Sequence, residues 1–396
     1  MTTPTALTGP SVAAAATWTP AHDLVRPTAW SGQHDGPVVL KGTGKVLVVG
    51  GADAAGASLG QALVYNPADD TWKPTATQPA PRRLHTVTGL ADGRVLVTGG
   101  IGGPTAPGLA TAELYDPATD TWASAGSMSQ ARWGHSAVQL PNGKVLIAGG
   151  TAVRSGGTTK ALRSAELFDP VATTDAARWT SAGEMTDARS GHPAVLLKGG
   201  KVLLVGGTVP VGTGQDAATA FCELYDQDRN SWTPTGSLLR PRALHQATAL
   251  SDSTVLVTGG RAPAAADDGT FDPLARRTTE RYDLATGTWT AAKELSAGRA
   301  AHRAVPLGTG KVLVIGGTGS DTDEAGYRST ARYDDAADSW TATPGLTTGR
   351  WAFAAAVLPG GKVLVTGGAA RSGLAAADPT ATELTAATEL YDGSGA

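Results

Sequence analysis

The sequence predicts an all-β fold: one ring of seven propeller blades, four strands to a blade, with the last blade closed by the chain's own N-terminal strand. Three observations carry that expectation. A phrase of the type V-L-V-x-G-G recurs and ends at Gly51, Gly100, Gly150, Gly207, Gly260, Gly317 and Gly368. A second phrase, E-L-Y-D or a variant, places an aromatic at Tyr65, Tyr115, Phe168, Tyr225, Tyr282, Tyr333 and Tyr391. A tryptophan follows seven residues later at Trp72, Trp122, Trp232, Trp289 and Trp340, and after an insertion at Trp179. None follows Tyr391, but Trp18 stands ahead of the first complete repeat.

The double glycines lie 49 to 57 residues apart, a period that marks a repeat architecture and suits one propeller blade. Each repeat reads as four short strands. Strand a is of the H-S-A-V-Q-L type (135–140), followed by a P-N-G turn. Strand b, K-V-L-I-A-G (144–149), is a continuous apolar run, as expected for a strand covered on both faces. Strand c is the A-E-L-Y-D phrase, and a D-P-A-T-D turn leads to strand d at T-W. The offset of Trp18 makes the stretch around it the outer strand of a blade whose other strands lie near 353–392. Such closure removes an open sheet edge. The expected organisation is a flexible tail over 1–17 and a single propeller over 18–396.

The composition agrees. Fifty-two Gly and 24 Pro mark many turns, and 41% hydrophobic residues leave enough apolar surface for a core. No apolar run approaches the roughly 18 residues of a membrane helix. A net charge of −3 gives no footprint for nucleic acid or an anionic membrane. The first basic residue is Arg26, so a basic secretory leader is not in evidence, and Cys222 is a lone cysteine. Both favour a cytoplasmic protein, expected as a monomer, with Cys222 a small buried hydrophobe.

The G-G, Y-D and T-W phrases at this spacing resemble the kelch family over residues 18–392. The resemblance implies the fold and says little about function. Propellers of this kind include protein-interaction domains, galactose-oxidase-type copper radical enzymes, sialic-acid epimerases and iron-dependent specifier proteins. The copper radical enzymes need a Tyr cross-linked to a Cys, a second Tyr and two His ligands. Here six of seven tyrosines fill the Y-D position, only Tyr327 is outside it, and Cys222 lies in strand c. Specifier proteins carry E-x-x-x-D-x-x-x-H. This chain has Glu184, Asp187 and His192, with the Asp one residue early and the stretch in register with the preceding repeat. No metal and no cofactor are expected.

The candidate site is a ring at the entry of each strand a. His85, His135, His192, His245 and His302 occupy one position, and Phe353 takes it in the seventh repeat. Three residues earlier stand Arg82, Arg132, Arg189, Arg242, Arg299 and Arg350. In the first repeat Gly32 is read at the arginine position and His34 and Asp35 near the histidine position. Trp30, Trp133 and Trp351 lie beside the ring and outside the T-W position. The long b–c connections (151–164, 208–221, 261–279, 318–331, 369–387) share the same rim. One reading is structural: arginines bridging to backbone carbonyls or to Y-D aspartates, histidines bonding backbone. Another is a metal held by several imidazoles. The functional reading is recognition of an anionic small molecule or peptide at the channel mouth, since guanidinium suits carboxylate and phosphate. Its alternative is a non-redox isomerase, lyase or cyclase with a rim His as general acid/base. The break between repeats 7 and 1 puts His34, Asp35, Arg350 and Trp351 first among candidates, with Phe353 and Trp30 beside them, then Arg82, His85 and His302.

Overall fold

The computed structural model describes residues 16–33, 36–76, 80–103, 108–154, 156–210, 216–262, 275–319, 325–378 and 380–393. Blades are numbered by their double glycines, so blade 1 ends its strand b at Gly51. Every blade is an antiparallel sheet ordered a-b-c-d from the centre outward. In blade 4 the strands are Ala194–Leu197, Lys201–Val205, Cys222–Asp226 and Ser231–Thr235. Blade 7 is assembled from both ends of the chain. Ala354–Val357, Val363–Thr366 and Thr388–Asp392 are completed by Thr17–Ala21, which pairs with Thr388–Asp392 and sets Trp18 opposite Tyr391. Ala16 already packs in the core.

The strands form where the sequence alternates or runs apolar, and the core lies between blades. Strand b is buried on both faces throughout, for example Val145–Ala148 at 0–1% exposure. One cluster joins Leu96 of blade 2 to Val145, Ile147 and Phe168 of blade 3. The aromatic of strand c packs on the tryptophan of strand d in all seven blades, with centroids 5.0 or 5.1 Å apart. The indole then reaches the blade before: Trp179 Nε1 donates to Ala125 O at 2.8 Å and Trp232 Nε1 to Ala182 O at 2.8 Å. A cross-strand aromatic pair thus also joins neighbouring blades. The insertion before Trp179 is taken up by a short helical turn, Asp175–Arg178. Among the described residues no helix is long and apolar enough to cross a membrane.

The double glycines answer to a steric demand. Gly99 and Gly100 adopt φ of 60° and 99°. A Cβ on Gly99 would stand 2.5 Å from the Arg132 carbonyl oxygen and 2.7 Å from the His135 ring. Strand b of one blade ends directly against the strand-a entry of the next, and only glycine allows both the conformation and the approach.

Closure by the N-terminal strand makes a prediction. A chain lacking residues 1–25 leaves Thr388–Asp392 as an unpaired edge. Thermal denaturation and light scattering should show a lower melting temperature and self-association. The single change Trp18→Ala should cost about 3–5 kcal/mol. An unchanged melting temperature in the truncated chain would contradict the closure.

Candidate functional site

The strand-a entries and the exits of strand b share one face, as expected: Trp133 bridges Thr151, Ser190 bridges Thr208, Ala300 bridges Thr318 and Trp351 bridges Ala369. The six ring arginines, however, turn into the protein. Arg82, Arg132, Arg189, Arg242, Arg299 and Arg350 are each 0–1% exposed. Arg132 shows the pattern. Its Nη1 donates to Gly149 O and Ser164 O, both at 2.9 Å, and its Nη2 donates to Glu166 Oε1 at 2.8 Å. The other oxygen, Glu166 Oε2, accepts the Ser129 N–H at 2.8 Å. One carboxylate on strand c therefore holds both ends of the turn that enters strand a.

The same pairs are Arg82–Glu113 at 3.0 Å, Arg189–Glu223 at 2.9 Å, Arg242–Glu280, and Arg350–Glu389 at 2.7 Å. Glu223 also accepts from Thr186 and Asp187, and Glu389 from Thr347 and Thr348. Burial lowers the pKa of Arg82, Arg132, Arg242 and Arg350, and the paired glutamate works in the opposite direction. The expectation that these arginines face a ligand is corrected. A guanidinium entering a dry interior needs acceptors for its N–H groups, and strands b and c supply them. The acid is the Glu of E-L-Y-D, not the Asp.

The histidines are buried as well. His135 Nε2 lies 3.0 Å from Thr98 Oγ1 and 3.1 Å from Thr86 Oγ1. Burial, then the Arg132 charge, pushes its pKa down to about 3. His85 is 1% exposed and its pKa is well below the usual value, from burial first and Arg82 second. His302 Nε2 is 2.8 Å from Thr258 Oγ1 and His192 Nε2 is 3.1 Å from Ser136 Oγ. His85 and His302 therefore do not line a solvent-filled mouth, and His85 and His135 are neutral near pH 7. Phe353 does the same packing with a benzene ring, against Gly316.

Blade 1 follows a shifted register. The Gly368 N–H donates to Thr28 O at 2.8 Å, as the Gly100 N–H donates to Arg132 O at 2.9 Å. Thr28, not Gly32, thus holds the arginine position. The Trp30 ring packs on Gly367 as His135 packs on Gly99, and Trp30 Nε1 donates to Val49 O at 3.0 Å. Trp30 fills the histidine position structurally. Gln61 Nε2, bonded to Thr28 Oγ1 at 2.8 Å and to Gly50 O at 3.3 Å, stands in for the Arg–Glu pair. His34 and Asp35 lie outside the described residues.

Two features escaped the sequence reading. One is a backbone collar formed by residues two after the arginine position. Gly134 donates to Leu84 O, Gly191 to Gly134 O, Ala301 to Leu244 O, Ala352 to Ala301 O and Trp30 to Ala352 O, at 2.7 to 3.0 Å. Leu84, Leu244, Ala301 and Ala352 hold φ of 50° to 55°, a left-handed conformation disfavoured for such residues. The other is Arg303, 4% exposed, whose Nε donates to Phe353 O at 2.7 Å and Nη1 to Gln33 O at 2.9 Å. It ties the inner ends of blades 6, 7 and 1.

A small cleft opens on the collar face between blades 5, 6, 7 and the entry of blade 1. Leu244, Arg261, Ala301, Thr318, Trp351 and Ser31 line it. Of the predicted aromatics, Trp351 reaches this cleft, while Trp133 packs against Gly108 of blade 2. Arg261 opens a b–c connection and is half-buried. Its signal in the sequence was only its place directly after a double glycine. Cys222, 2% exposed, packs in the core with Leu203 and Val255, and burial pushes its thiol up to about 11.

A family model for the Kelch motif matches residues 82–129. Human (Homo sapiens) Kelch-like protein 34 is 31% identical over 184 residues, 46% of this chain and 26% of that protein. The match spans about a quarter of that relative's length. Among solved structures, a fungal alcohol oxidase of the AA5 family, in complex with copper, superposes with a TM-score of 0.71 at 20% identity, over 96% of this chain and 76% of its own. At that identity the likeness is one of fold.

The depressed His135 carries a pH prediction. An unfolded His protonates near 6.5 and the folded one near 3. Its stabilising contribution is complete above the unfolded value and is lost as pH falls toward the folded one. Denaturant unfolding between pH 6 and 4 should lose about 1.4 kcal/mol per pH unit from this one group. His135→Gln should flatten the slope by that amount. An identical slope in the variant would contradict the placement.

Proposed function

We propose that this chain, a kelch-type seven-bladed propeller, is a binding module for a small anionic ligand, held in the cleft over the collar by Arg261 and Trp351. The cleft carries the reading: one cation and one indole stand together among small side chains. Pockets with few polar groups on an apolar wall are typical of small-molecule sites. The ligand class is a carboxylate or phosphate on an aromatic or aliphatic body. The carboxylate or phosphate meets the guanidinium, and the body lies along Trp351. The site is that of the channel-mouth expectation, with Arg261 in place of the six buried arginines.

The alternative of a rim His as general acid/base finds little support in His85 and His302, which are both buried, with His302 also bonded to Thr258. The fungal oxidase is in complex with copper. Among the described residues no three His, Cys, Asp or Glu side chains stand together as a metal site. These residues do not fit a copper centre, and no copper chemistry is carried over.

The test is a titration of aryl and alkyl carboxylates against the full chain and Arg261→Gln. A charge-assisted hydrogen bond contributes about 1.5–3 kcal/mol, so the folded variant should bind roughly 10- to 100-fold more weakly. Equal affinity, or a ligand bound instead in the groove between blades 1 and 2 lined by Lys45, Lys73 and Tyr115, would overturn the reading.

A further inference from the structure

Blade 6 breaks the Arg–Glu pattern in a specific way. Its arginine, Arg299, is present and 1% exposed. Nη1 donates to Gly316 O at 2.8 Å and Ser329 O at 3.2 Å, and Nη2 to Ser329 Oγ at 3.1 Å. These are the contacts that Arg132 makes with Gly149 and Ser164. The carboxylate is missing, because the strand-c phrase reads Thr330-Ala331-Arg332-Tyr333 and Ala331 stands at the Glu position. Among the described residues Arg299 has no acidic partner. The Tyr327 ring lies 5.5 Å from its Cζ, which stabilises a cation without accepting a hydrogen bond.

The rest of the carboxylate's surroundings is retained. In blades 4 and 7 the glutamate also accepts two backbone N–H groups, from Thr186 and Asp187 and from Thr347 and Thr348. Their equivalents before Arg299 are Ser296 and Ala297, and strand c offers these no carboxylate. The residues that flank the position face solvent. In blade 3 the corresponding Ser129, Ser164 and Glu166 line an open groove between blades, and in blade 6 Ser296 and Ser329 are exposed.

We infer that blade 6 holds a second anion site, taking a small monocarboxylate between Arg299, Ser329 and the Ser296–Ala297 backbone. The difference between Ala and Glu at this position is a CH2–CO2 group, the size of acetate. Five sister blades supply that group covalently from Glu113, Glu166, Glu223, Glu280 and Glu389. Blade 6 takes it from solution. A dry cation with two N–H neighbours is the setting in which a charge-assisted bond is strongest. Burial pushes Arg299 down to about 10, in keeping with a charge lacking its counter-ion. The site is separate from the collar cleft and does not depend on it.

The probe is sodium acetate, titrated into the full chain by calorimetry and thermal denaturation, with sodium chloride at matched ionic strength as control. The wild type should show saturable heat and a saturable rise in melting temperature beyond the chloride control. Ala331→Glu restores the side chain its sister blades carry and is expected to fold. It should lose the acetate heat and the acetate-dependent rise. No saturable response in the wild type, or the same response in Ala331→Glu, overturns the inference.

Discussion

The ring depends on one buried ion pair. Where strand d of one blade crosses back to strand a of the next, an arginine at 0–1% exposure must find acceptors for its guanidinium. It finds the carbonyl ending strand b and a glutamate in the middle of strand c. The glutamate's second oxygen takes a backbone N–H of the crossing segment itself, as Glu166 takes Ser129. Three strands and a connection are fixed around one charge pair. The geometry then dictates its neighbours: the histidine packs over the previous blade's glycine, and the glycine cannot carry a Cβ.

The exceptions obey the same constraint. Blade 1 has neither charge, and Thr28 with Gln61 makes a neutral version of the contact. Both charges are absent together, as expected when a lone buried charge costs far more than a missing pair. Blade 6 loses only the acid and keeps Arg299 beside Tyr327 and Ser329. That unequal loss singles out blade 6. The collar face is different in kind: its lining is backbone and small side chains, so Arg261 and Trp351 provide its chemical character.

The architecture was legible because it repeats. The offset between Trp18 and Tyr391 announced the closure, and V-L-V-x-G-G announced the buried strand b. The site was less legible. Both halves of the ion pair were visible, in R-x-x-H and in E-L-Y-D, but Arg132 and Glu166 are 34 residues apart and nothing local pairs them. Arginine is also rarely fully buried, so six in a ring read as a surface. Blade 1 was misread because Thr28 and Trp30 replace both marker residues and only hydrogen bonds reveal the register. The collar left no trace, since Leu84, Ala301 and Ala352 carry φ above zero without a glycine to signal it.

The central claim is that the five arginines paired with a glutamate hold the propeller together and do not themselves bind ligand. A double-mutant cycle on Arg189 and Glu223 tests it most directly, measured by denaturant unfolding with Arg189→Met, Glu223→Leu and both together. Each single change should cost about 3–5 kcal/mol by stranding a buried charge. The double variant should be less destabilised than either single one. Single variants that keep full stability and lose only ligand binding would contradict the account.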